Sequence, residues 1–181
     1  INIRVSYDDE TAAIINYFLN YRAILRVAVF YQNDSFGTSV LDGVKKASAA
    51  VGVSIVGLAT YERNTLNVES GVPSLLEKEP EAIIVVGTVD PLAKFIKLVR
   101  SSNFSNAQTI LFATVSFIGS SRFAEVLSSQ GTTDGVYITE AVPFPFDSTI
   151  PTAAVFVEQL NKTFPEVEIS TTAFEGYLAG R

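Results

Sequence analysis

The chain has 181 residues, a formal net charge of −6, and no His, Cys, Met or Trp. Without Cys or His, disulfides, thiol nucleophiles, Ser-His-Asp triads and the usual zinc sites are excluded. The acidic balance argues against nucleic acid as a partner, because phosphate binding needs clustered Lys and Arg. The length suits one domain with a real core, and no apolar run reaches the roughly 18 residues of a transmembrane helix.

Asp8-Asp9-Glu10 precedes Ala12, Ile15 and Leu19, with Ile14 and Phe18 widening the stripe. Acidic residues in a first turn followed by apolar ones at three-to-four spacing predict a helix. RVAVFY (Arg26–Tyr31) reads as the first strand and Gln32–Gly37 as the loop after it. Val40, Leu41, Val44 and Ala47 then mark a second helix, ended by Gly52. The adjacent pair Lys45-Lys46 reads as its solvated face.

VSIVGLA (Val53–Ala59) is the second strand. Asn67 or Ser70 begins a third helix carrying Val68, Val72, Leu75 and Leu76, with Pro73 tolerable only in its first turn. AIIVVG (Ala82–Gly87) is the third strand. Asp90-Pro91 reads as cap and first helical position of a helix with Leu92, Phe95, Ile96 and Val99 on one face. TILFAT (Thr109–Thr114) and GVYITEA (Gly135–Ala141) are the fourth and fifth strands, with a shorter helix through Phe123, Val126 and Leu127 between them. Pro143, Pro145 and Pro151 punctuate a loop before a helix with Phe156, Leu160 and Phe164. The opening INIRVSY, without an initiator Met, and the closing TTAFEGYLAGR, the start of an unfinished helix, read as the ends of an excised piece.

Strands alternating with helices imply a doubly wound, mostly parallel five-stranded sheet with helices on both faces, because parallel neighbours need long crossovers. The ordinary order for five such units, 2-1-3-4-5, puts a ligand crevice beyond the carboxyl ends of the first and third strands. The loops at its mouth are Gln32–Gly37, Gly87–Asp90 and Val115–Gly119. They offer Phe36 as a ring for a ligand, Thr88 and Ser116 as hydroxyls at strand ends, and Asp34 and Asp90 as carboxylates, both of which also suit helix caps. No GxGxxG or GxxxxGK[ST] follows any strand, so neither a dinucleotide nor a triphosphate site is signalled. With no group poised to titrate near neutrality, the pair Asp34 and Asp90 is a weak basis for an enzyme. No catalytic residue, metal or cofactor is expected.

Taken in order, RVSYDDET, RVAVFYQNDSFG, YERNT, AIIVVGT, ATVSFIGS and TTAFEGYLAG resemble type 1 periplasmic binding proteins, and more narrowly the branched-chain amino acid (Leu/Ile/Val) binding family of ABC transporters. The similarity runs from end to end, and YQNDSFG followed by a helix and YERNT is its most specific part. The resemblance implies one Rossmann-like lobe over residues 1–181, the second of two, with 1–7 and 172–181 as crossovers to a first lobe outside this chain. It implies a periplasmic or extracellular protein that closes on a small-molecule ligand and delivers it to the membrane permease of an ABC transporter. An extracellular sensor domain of a membrane kinase or cyclase is the alternative. Phe36 falls where the family sets an aromatic ring against its ligand, and Thr88 or Val89 where its third-strand loop touches it. Ser116 stands where amino-acid binders carry an acidic residue for the ligand's ammonium. That departure makes an aliphatic or aromatic carboxylate as good a candidate as an amino acid.

Overall fold

The computed structural model describes residues 4–180. Helix α1 (Tyr7–Arg22) opens on a capping box: Ser6 accepts from the Asp9 N–H while the Asp9 carboxylate accepts from the Ser6 N–H. These reciprocal bonds satisfy two of the amide groups that a helix start leaves unpaired. Strand β1 (Arg26–Gln32) follows, then α2 (Ser35–Val51), β2 (Ser54–Tyr61), α3 (Gly71–Leu76), β3 (Ala82–Val86), α4 (Val89–Arg100) and β4 (Leu111–Thr114). A 3-10 turn (Ser116–Ile118) leads to α5 (Ser120–Gln130), β5 (Val136–Ile138), α6 (Pro151–Thr163) and α7 (Thr171–Ala179). The five strands pair in the order β2-β1-β3-β4-β5, every pair parallel.

Side chains alternate between the two faces of the buried strands, as the period of two requires. Ala28, Phe30, Ile83, Val85 and Phe112 face one layer, where they meet Leu75 of α3, Phe95 and Val99 of α4, and Phe123 of α5. Val27, Val29, Ile84, Val86 and Ala113 face the other, against Ile15 and Phe18 of α1 and Val40 and Val44 of α2. The Phe30 and Phe95 rings stack with centroids 3.9 Å apart. Ala153 and Phe156 of α6 and Phe174 of α7 form a separate small cluster, clear of the sheet.

Several boundaries differ from the sequence expectation, for local reasons. Helix α2 begins at Ser35, directly after its cap Asp34, so Phe36 and Gly37 lie in its first turn and not in a loop. Helix α4 is capped by Thr88 in extended conformation, without a side-chain cap bond, which moves Asp90-Pro91 to the second and third helical positions. Pro91 is tolerated there because the first amides of a helix have no intrahelical acceptor to lose. Strand β1 runs on to Gln32 and β2 to Tyr61. Strand β4 starts only at Leu111, since the Ile110 N–H is spent on a turn to Asn106. Strand β5 is cut to three residues and ends where the Thr139 N–H returns to Thr114. Of the segments read as crossovers, residues 1–3 and 181 lie outside the described residues.

Replacing Phe95 by Ala removes a fully buried ring and its stack on Phe30. The expected loss is about 3–5 kcal/mol of unfolding free energy, the usual range for a core Phe. Urea unfolding followed by far-UV circular dichroism, suited to a chain without Trp, measures it.

Candidate ligand-binding site

At the carboxyl end of β1, Asp34 caps α2: its Oδ1 accepts from the Gly37 N–H at 3.0 Å. A Cβ on Gly37 would run into the Gln32 carbonyl oxygen, so only glycine lets the helix start this close to the strand end. The same carboxylate accepts from Gln32 Nε2 at 2.5 Å, and Arg63 lies 3.8 Å away. Burial pushes the Asp34 carboxyl up, but the bonds from Gly37 and Gln32 and the nearby Arg63 outweigh it, and the group titrates below its ordinary value.

The end of β3 is tied to the same point. Tyr61, at the end of β2, donates its hydroxyl to Gln32 Oε1 at 3.1 Å and accepts from the Thr88 N–H at 3.2 Å. Its burial raises its pKa, so it stays protonated and can make both bonds. Gly87 passes against this hydroxyl, and any Cβ there would strike it. Thr88 to Tyr61 to Gln32 to Asp34 is therefore one hydrogen-bonded chain across three strand ends.

The end of β4 is held from below. The Ser116 N–H donates to Glu10 Oε2 at 2.7 Å, and the Thr139 hydroxyl donates to the same oxygen at 2.5 Å. Glu10, on α1, is 3% exposed. Arg4 Nη2 donates to Ser116 Oγ at 2.6 Å, while its Nε stands 3.4 Å from Glu175 of α7. Arg4 thus links the chain before α1, the β4 loop and α7.

Among the residues singled out from sequence, Phe36 and the Ser116 loop come together: the Phe36 ring lies 4.6 Å from that of Phe117 and 5.5 Å from that of Tyr7. Phe36 is half-buried, while Phe117 is 51% exposed. Asp34 and Thr88 are joined through Gln32 and Tyr61. Val89 is half-buried in the first turn of α4, and Asp90 beside it is exposed, its charge felt at Arg122. Glu10, Arg4, Tyr61 and Phe117 were not singled out from sequence. Glu10 looked like an ordinary first-turn acid, and Tyr61 lay beyond the expected end of its strand.

The result is a lip with two partly exposed rings, the exposed Thr88 and the buried Ser116, at the end of the sheet toward which the amino ends of α2 and α4 point. A hollow of about 550 Å³ lies at the opposite end, among Tyr21, Arg22, Glu79, Glu81 and Asn106. It gathers the amino ends of the strands, where α/β sheets do not place their ligands, and the lip is the better site on that ground. Among the described residues no group of three His, Cys, Asp or Glu could hold a metal.

A parallel sheet ordered β2-β1-β3-β4-β5, with helices on both faces and loops gathered at the carboxyl ends of its strands, is the architecture of a ligand-binding α/β lobe. The chain belongs to the periplasmic binding protein family, whose model matches residues 1–181, a family of periplasmic or extracellular solute-binding domains. It is similar to the structure of a possible leucine/isoleucine/valine-binding protein from Rhodopirellula baltica, at 33% identity and a TM-score of 0.86, covering 100% of this chain and 49% of that one. It is also similar to a substrate-binding periplasmic protein from Ralstonia solanacearum, at 26% identity and a TM-score of 0.82, covering 97% and 48%. A leucine binding protein from Thermotoga maritima shares the fold at 15% identity and a TM-score of 0.81, covering 98% and 49%. The chain thus spans about half the length of these proteins. No curated protein matches it.

Asp34→Asn keeps a capping oxygen but removes the charge. Because the folded carboxyl titrates below its ordinary value, its charge stabilises the fold fully above the unfolded pKa of about 3.9. That contribution is lost as pH falls through the lower folded value. The stability gap between the wild type and Asp34→Asn is therefore expected to be open at pH 6 and to close in the acid range, read by urea titrations across pH. Tyr61→Phe removes the hydroxyl shared by Gln32 and Thr88, and urea unfolding at neutral pH is expected to show a loss of about 1–3 kcal/mol, the range for stranding buried polar partners.

Proposed function

We propose that this chain is one lobe of a two-lobed binding protein that takes a small organic solute, an amino acid or an aliphatic or aromatic carboxylate, between its lip and the facing lobe. The leucine/isoleucine/valine name carried by the Rhodopirellula baltica protein supports a ligand of amino-acid size. The solute is then handed to the permease of an ABC transporter. No bond is made or broken. The work is done by hinge closure, which buries both lips around the ligand.

One observation carries this reading: Phe36 and Phe117 present neighbouring, partly exposed rings at the carboxyl end of the sheet, backed by Tyr7. Rings left in water by one lobe gain burial only when the second arrives, and burial of apolar surface yields about 25 cal/mol per Å². The polar ties beneath them hold the lip rigid before the ligand comes, so little ordering remains to oppose binding.

Phe36→Ala in the two-lobed protein is expected to weaken binding by about 1–3 kcal/mol, as for loss of a buried aromatic contact. Its effect on the thermal stability of the isolated lobe should be smaller than that of Phe95→Ala. Calorimetric titration with L-leucine and with 4-methylpentanoate, beside thermal melts, reads both. Unchanged affinity with a large stability loss would make Phe36 a core residue. Tight binding of either probe by this lobe alone would overturn the two-lobe reading.

A further inference from the structure

The hydrogen-bonding capacity of the lip is already divided in a way that selects the ligand. Ser116 is the polar residue beside the Phe36–Phe117 rings, and three of its four groups are spent, its carbonyl accepting from the Gly119 N–H. Its N–H is given to Glu10 Oε2, and its Oγ accepts from Arg4 Nη2. What Ser116 has left to offer is its O–H, a donor, with a guanidinium directly behind it.

The acidic groups near the lip are committed, sealed or fully in water. Glu10 uses Oε2 for Ser116 and Thr139, and its Oε1 is buried from solvent, beyond the reach of a ligand. Asp34 is occupied by Gly37, Gln32 and Arg63. Glu175 is paired with Arg4, and Asp90 on α4 and Glu140 after β5 are exposed, where a hydrated carboxylate adds little to an ion pair. An ammonium brought to this lip would lose its water without a buried carboxylate to replace it, which is unfavourable by several kcal/mol per ion in a desolvated site.

Resting on the binding reading above, we infer that this lobe receives a solute without an α-amino group. An acceptor oxygen of a carboxylate or carbonyl meets the Ser116 hydroxyl, and the apolar part lies on Phe36 and Phe117. Arg4 acts as a positioning residue: it turns the hydroxyl proton away from itself and toward the ligand.

The test compares amino acids with their deaminated counterparts in the two-lobed protein: L-leucine against 4-methylpentanoate, and L-phenylalanine against 3-phenylpropanoate, by isothermal calorimetry. The acid of at least one pair is expected to bind tenfold or more tighter than its amino acid. Ser116→Ala is expected to weaken that acid about tenfold or more, the worth of one hydrogen bond to a charged group, in a protein that far-UV circular dichroism shows to be folded. An amino acid that binds as well as or better than its acid overturns the inference and leaves the binding reading standing. So does an acid whose affinity is untouched by Ser116→Ala. No binding of any of the four overturns the small-organic-acid and amino-acid reading itself.

Discussion

Strand β3 has all five residues buried, and the two strands beside it are buried over most of their length. A strand hidden on both sides must be covered by a helix layer above and below, and that forces parallel pairing with a crossover after each strand. Every such crossover starts at the same end of the sheet. The amino ends of α2 and α4, the caps at Asp34 and Thr88, and the turn at Ser116 therefore collect on one lip because Ala82–Val86 has no polar face to give to water. The location of the lip is a consequence of how the core is buried.

Loops at a sheet end are mobile unless something ties them, since their backbone groups otherwise go to water. Here two polar systems do so without using a ligand. Tyr61 bridges the ends of β1 and β3 through Gln32 and Thr88, and Gly87 is the small residue that allows the phenol to fit. Glu10 bridges β4 and the chain after β5 through one carboxylate oxygen. Both lie under the lip, so the Phe36 and Phe117 rings and Thr88 stand at the surface above. These bonds are what stiffen the lip.

The region after β5 follows a different physics. Its helices α6 and α7 bury Ala153, Phe156 and Phe174 against one another, with the Phe156 and Phe174 rings 4.9 Å apart, and this cluster is distinct from both sheet layers. Its tie to the lip is polar: Glu175 to Arg4, and the Thr171 hydroxyl to that of Ser120 at 3.3 Å. Polar contacts of this kind exchange with water at little net change in free energy, which suits a junction more than a core.

The apolar runs RVAVFY and AIIVV and the helix stripe through Leu92, Phe95, Ile96 and Val99 were legible in sequence because periodicity reports burial directly. From them followed the strand–helix alternation, the strand order and the end of the sheet where Phe36, Thr88 and Ser116 would stand. Helix starts were legible to within one or two residues. Asp34 caps as expected, but Thr88 displaced Asp90, because an extended backbone at Thr88 served without any side-chain bond. What the sequence could not decide is where a single polar side chain would spend its bonds. Glu10 and Asp90 look alike as acids in a first turn, yet one is sealed beneath Ser116 and the other faces solvent. That difference comes from contacts 106 residues apart in the chain, and no local pattern encodes a pairing made only when α1 packs beneath β4.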